Sequence, residues 1–65
     1  MGSFTSRLLE ENTELSIKVE KLTTFVVSKQ FDDLPDIERN DLKQQLRHMK
    51  AYSTVIGRRV VRACN

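Results

Sequence analysis

The sequence predicts an all-α protein: an antiparallel two-helix hairpin that oligomerises into a helical bundle. Three observations predict it. The first is a pair of 4-3 hydrophobic repeats, Leu8, Asn12, Leu15, Val19, Leu22, Val26 and then Leu42, Leu46, Met49, Ser53, Ile56, Val60, Ala63, each of which reads as one face of an amphipathic helix. The second is the short break between them, Gln30-Phe31-Asp32-Asp33-Leu34-Pro35, rich in residues that turn the chain. The third is size. A chain of 65 residues buries only ~60% of its unfolded surface, which leaves a lone hairpin near marginal stability. The single Cys64 forms no intrachain disulfide, and no set of Cys and His resembles a zinc site, so self-association is the expected support.

One domain covers residues 1–65, with a helix at about 4–29, a turn at about 30–34 and a helix at about 35–63. Ser3 or Thr5 starts the first helix, with Ser3 as its cap, and Glu10, Glu11 and Glu14 precede Lys18, Lys21 and Lys29, an order that suits the helix dipole. Asp32 and Asp33 are placed to cap the second helix, with Pro35 in its first turn. Phe31 and Leu34 plug the closed end. Folding back around the turn sets Asn12 level with Ser53, Leu15 against Met49 and Val19 against Leu46. The Asn12–Ser53 level is a polar layer that fixes register and subunit number at some cost in stability.

From Leu42 onward there are six basic residues, Lys43, Arg47, Lys50, Arg58, Arg59 and Arg62, and no acid, in a chain whose net charge is +2. Two readings stand. Antiparallel pairing brings Glu10, Glu11 and Glu14 toward Lys50 and Arg58, so part of this charge forms exposed interhelix pairs worth less than ~1 kcal/mol each. Alternatively the basic end holds an anion. Gln45, Tyr52 and Arg59 recur every seven residues beside the seam, with His48, Val55 and Arg62 on the neighbouring row. An aromatic face, an amide able to read a base edge and a guanidinium able to clamp a phosphate are what a nucleotide site needs.

Gly57 within the second helix costs ~1 kcal/mol relative to Ala and is expected at a close approach, where Leu8 or another subunit packs onto the backbone. His48 has no companion ligand and faces solvent. Leu9, Ile17, Val27, Val55 and Val61 lie off the seam and suggest a second apolar face used in oligomerisation. Met1-Gly2-Ser3 with Ser6 fits an N-myristoylation pattern but equally a leader left by recombinant expression, and the second reading is preferred.

Catalysis finds no support. No nucleophile has a base at readable spacing, no Gly-rich phosphate loop exists, and the carboxylates sit at helix starts where capping explains them. No metal or cofactor is implied. No apolar run approaches the ~20 residues that cross a membrane, and no secretion signal opens the chain, which leads to an expectation of a reducing cytoplasm. Duplex DNA binding is disfavoured by the acids of the first helix and by the lack of helix-turn-helix spacing.

Glu14-Leu15, Lys18, Lys21-Leu22 and Phe25, then Phe31 and Leu34, then Gln45-Leu46, Met49, Tyr52 and Arg59 resemble the pattern of a family of small two-helix proteins of tailed bacteriophages, first met in crAss-like phages. The resemblance covers about residues 4–61. One departure is Gly57, where the pattern calls for a larger apolar residue, which affects packing near Arg58 and Arg59. The resemblance implies a phage-encoded accessory protein in the cytoplasm of a host bacterium. By analogy with other small helical phage proteins, it implies an oligomeric sponge for the cyclic nucleotides of CBASS and Thoeris immunity.

The leading expectation is therefore a non-enzymatic homo-oligomer that sequesters a cyclic di- or trinucleotide in pockets between subunits. Tyr52 or Phe25 stacks a base, Arg58, Arg59, Arg62 or Lys18 neutralises phosphates, and Gln45 reads an edge. The alternatives are a helical module that inhibits a host protein and a structural coiled-coil phage protein. The polar layer generates a prediction. Asn12→Leu should raise the melting temperature while broadening the distribution of subunit numbers seen by light scattering, because an apolar pair no longer penalises misalignment. Strong destabilisation with an unchanged oligomer would show that Asn12 has another role.

Overall fold

The computed structural model describes the backbone from Gly2 to Cys64 and the side chains from Phe4 to Cys64. The acylation pattern at Met1-Gly2-Ser3 and the Ser3 side chain lie outside the described residues. Three helices follow in order, α1 (Gly2–Val26), α2 (Lys29–Asp32) and α3 (Asp36–Cys64), and the described residues contain no strand. The chain is all-α. Since α1 begins at Gly2, Thr5 lies inside its first turn rather than at its start.

The expected first helix is too long at its C-terminal end. It stops at Val26, and Lys29 opens the separate short helix α2. The reason is local chemistry. Thr23, Thr24, Val26 and Val27 are β-branched and hold a helix weakly, and the Thr23 and Thr24 hydroxyls donate to the carbonyls of Val19 (2.7 Å) and Glu20 (3.1 Å). Ser28 then ends one helix and starts the next. Its N–H and hydroxyl both donate to the Phe25 carbonyl, at 2.9 Å and 2.6 Å, while its Oγ accepts the Phe31 N–H at 3.3 Å. This is N-cap geometry for α2.

Asp32 and Asp33 do not cap α3. Asp32 is the last residue of α2 and Asp33 its C-cap, with the Asp33 N–H donating to the Gln30 carbonyl at 3.2 Å. The first bond of α3 runs from the Arg39 N–H to the Pro35 carbonyl at 3.0 Å. Pro35 therefore stands just ahead of α3, where its missing N–H costs nothing. Asp36 and Glu38 supply the acidic first turn, which the helix dipole favours.

The two long helices lie side by side in a rod of 47 × 15 × 14 Å. Burial follows the 4-3 seam. Leu8, Leu15 and Ile56 form the core, with Val19, Met49 and Val60 packed against it, and Ile56 alone is completely enclosed. Enclosing such a side chain contributes about 1.5–3 kcal/mol. Ala63 departs from the pattern and is exposed at the end of the pair. A second centre lies at the turn, where buried Phe31 meets Phe25 edge to face, ring centroids 6.0 Å apart, and the Lys43 ammonium sits 5.9 Å from the Phe31 centroid. Leu34 is half-buried there.

Three further expectations are corrected or refined. Asn12 and Ser53 are both half-buried, but no hydrogen bond joins them among the described residues. The expected pairs of Glu10, Glu11 and Glu14 with Lys50 and Arg58 do not form; the ion pair found among the described residues is Arg39 with Asp36 on α3. Lys50 and Arg58 are exposed, turned off the edge on which Glu11 lies. Gly57 is not a close approach within the chain, because a Cβ built there meets nothing within 4 Å.

That open space makes Gly57→Ala a stabilising change. Removing the glycine's entropy cost should add about 1 kcal/mol and raise Tm by about 4–8 °C for a domain of this size. Thermal unfolding followed by circular dichroism checks it. A fall in Tm would mean that another chain packs down on this stretch of backbone.

Candidate functional site

Two rows of side chains flank the seam on one edge of the rod. On α1 they are Phe4, Glu11, Lys18 and Phe25, and on α3 Glu38, Gln45, Tyr52 and Arg59. Each row repeats every seven residues, close to two helical turns, so each keeps to one face. The structure sets the rows against each other, one step of seven along α1 for each step of seven back along α3. Phe4 and Arg59 share one groove, Tyr52 bonds Glu11, and Lys18 and Gln45 share a second groove.

The groove nearer the chain ends is lined by Phe4, Leu8, Arg59, Arg62 and Ala63. It pairs two guanidiniums with an exposed aromatic ring, a combination suited to phosphate and to a stacked base. The other groove is lined by Lys18, Lys21, Leu22, Phe25, Gln45 and Met49. There two ammonium groups border an apolar floor. The Gln45 amide makes only a weak contact, 3.9 Å to the Met49 sulfur, which leaves it able to bond an incoming polar edge. Phe25 is half-buried and braced by Phe31, so its ring is fixed in orientation.

Between the grooves the Tyr52 hydroxyl donates to a Glu11 carboxylate oxygen. Tyr52 is 44% exposed, so its ring remains accessible. The hydrogen bond to Glu11 is the main reason that the phenol ionises above its ordinary range; partial burial and the Glu11 charge add to it, and Arg59 opposes it. Glu11 thus holds the ring's polar end to α1 and places a negative charge between the two grooves.

The seven residues expected at a site fall into separate places. Lys18, Phe25 and Gln45 come together in one groove, Arg59 and Arg62 in the other, and Tyr52 stands between. Arg58 is exposed and lines neither groove, because one residue off the row is a turn of about 100° around the helix. One chain therefore does not gather all seven around a single pocket. Phe4, Glu11, Lys21 and Met49 were not singled out as site residues, although the heptad spacing of Phe4, Glu11, Lys18 and Phe25 is a signal that finds the first two. Among the described residues no group of three or more His, Cys, Asp or Glu could hold a metal ion, and no helix is long and apolar enough to cross a membrane.

Fold and grooves together define a small all-α protein of two long paired helices whose shaped surfaces are polar-edged and open. The chain belongs to the Sequestin family, whose profile matches residues 3–62. No curated protein matches the chain, and no solved structure does.

Tyr52 is the one tyrosine of the chain, so its ionisation can be followed directly by tyrosinate absorbance. It should titrate above the ordinary value of about 10, and Glu11→Gln should bring it back toward that value. Because the folded state raises this pKa, the bond's contribution to stability is complete below the unfolded value and is lost as pH rises through the folded one. An unshifted titration in the parent protein would show that the Glu11–Tyr52 bond does not persist in solution.

Proposed function

We propose that this protein binds and sequesters cyclic di- or trinucleotide immune signals without cleaving them, as an anti-defence protein of a tailed bacteriophage in the host bacterial cytoplasm. The observation that carries the reading is the Lys18, Lys21, Phe25 and Gln45 groove, which offers charge for phosphate, a fixed ring for a base and an amide for a base edge in one place. The family name supports it, since it speaks of holding a molecule. Sequestration needs abundance and a dissociation constant below the signalling concentration, and no turnover. In this reading the antiparallel hairpin of α1 and α3 is the subunit of a homo-oligomer.

A second reading is a module that covers and inhibits a host protein. It draws on the exposed apolar side chains Leu9 and Ile17 of α1 and Val27 just beyond its end, which a partner helix could cover. A ligand screen separates the two, because a tightly bound nucleotide raises the melting temperature by mass action and a host-protein module shows no such shift.

The decisive variant is Lys18→Ala, in the groove that carries the reading. A phosphate held by this ammonium is a charge-assisted contact worth about 1.5–3 kcal/mol, so its loss should weaken cyclic nucleotide binding by roughly one to two orders of magnitude with folding intact, while Arg59→Ala reports on the separate groove at the chain ends. Tyr52→Phe keeps the ring and removes the hydroxyl, which separates stacking from hydrogen bonding. Calorimetry on the folded proteins is the measurement. A parent protein that binds no cyclic nucleotide up to millimolar ligand sinks the sequestration reading and leaves the protein partner.

A further inference from the structure

The seam has two flanking edges, and both grooves lie along one of them. The register that sets Glu11 against Tyr52 and Lys18 beside Gln45 brings the opposite edge together as Leu9, Ser16 and Thr23 of α1 against Gly57, Lys50 and Lys43 of α3. All of these except Gly57 are exposed. The α1 side of this edge carries no charge, whereas the α3 side is basic. Lys43, Arg47, Lys50 and Arg58 follow one another at intervals of four, three and eight residues, which at roughly 100° per residue keeps them within about a quarter of the helix circumference.

These cations lack acidic partners. None of them takes part in an ion pair among the described residues. Glu10, Glu11 and Glu14 lie on other faces of α1, so Glu20 is the acid of that helix left nearest the row. Lys43 is held over the Phe31 ring at the turn, in a polar recess shared with Asp32 and Asp36, and these carboxylates offset part of its charge. Arg47, Lys50 and Arg58 line neither of the grooves on the other edge. We propose that this face of α3 is a track for the phosphodiester backbone of a single-stranded nucleic acid, with Arg47, Lys50 and Arg58 neutralising its phosphates. The track goes beyond the sequestration reading and does not rest on it.

The chemistry of the face selects the occupant. A partner helix needs apolar anchors three, four and seven residues apart, but between Lys43 and Arg58 this face holds Ala51, Thr54 and Gly57 and no large apolar side chain. Charge and hydroxyl groups remain, which suit a polyanion whose affinity comes from neutralised phosphates. No aromatic residue stands in the row, so bases have no platform to stack on and binding follows the backbone without base preference. At Gly57 a Cβ meets nothing within 4 Å, which leaves room for a strand to approach the helix between Lys50 and Arg58. Width favours one strand over two. Glu20 borders the row on α1, and Asp32 and Asp36 close its head at the turn, so the second line of phosphates of a duplex would meet carboxylates.

Fluorescence anisotropy of a labelled single-stranded oligothymidylate, followed across a salt series, tests the track. Three neutralised phosphates give a slope of log K against log salt of about −2, so raising salt from about 50 to 200 mM should weaken binding roughly twentyfold. Arg47→Gln/Lys50→Gln should reduce the slope to about −0.7 and weaken low-salt binding by at least about tenfold. Arg7→Gln/Lys29→Gln removes the same charge from exposed positions on α1 and α2 and should bind within a few-fold of the parent. Circular dichroism confirms that all three proteins are helical. No anisotropy change at low salt up to about 100 µM protein overturns the proposal. A control variant that loses as much affinity as the track variant also overturns it, because net charge alone is then being read. A duplex of equal length bound more tightly than the single strand overturns the choice of occupant.

Discussion

Everything in this molecule hangs on the contact among Leu8, Leu15 and Ile56. Two helices side by side enclose very little volume, and only Ile56 is wholly shut off from solvent. A thin seam has no second layer to correct an error in alignment. A slip of one helical turn would carry Ile56 out of the pocket made by the two leucines and shift every group on the flanking edges by the same distance. The register that places Tyr52 on Glu11, and Gln45 beside Lys18, is inherited from this apolar contact.

The polar edge in turn acts on the seam. Glu11 stands between the two grooves, and its bond to Tyr52 ties the two helices together at mid-length. The bond is exposed and therefore modest in strength. Its value lies in orientation, since it fixes which face of the phenol ring meets solvent. At the turn the same division of labour recurs: Phe31 supplies the burial, while Phe25 and Lys43 fix the ring against its neighbours.

Long-range architecture was legible in the residues because period and burial are linked by geometry. All seven seam positions of the second repeat except Ala63 are buried or half-buried, as the 4-3 spacing requires. The turn was harder to read. Ser28 can donate and accept at once, and nothing in the spacing of apolar residues reveals that it ends α1 and caps α2. Asp32 and Asp33 are good caps by type, yet the short helix α2 claims them first. Gly57 is ambiguous for a different reason, because a glycine within a helix signals either close approach or open space, and only the packing around it distinguishes these. At the site, residue type pointed to Gln45, Tyr52 and Arg59, but distance along a rod does not appear in a list of chemically suitable side chains. Arg58 has the right chemistry and the wrong angle.

The rod shape also gives the molecule a direction. One end is closed by the turn and locked by the aromatic pair of Phe25 and Phe31. The other carries the helix ends, where Arg62 and Ala63 are exposed beyond the last enclosed contact, that of Leu8 with Ile56 and Val60. Helix ends that run past their last packed side chain fray ahead of the rest of the element, so the least stable part of the rod is the short stretch outside that contact. Phe4, Arg62 and Ala63 border a groove at this margin, whereas Lys18, Phe25 and Gln45 lie between the two buried centres. A molecule held at the outer groove would also order the last helical turns, which makes their tightness a quantity that binding can set.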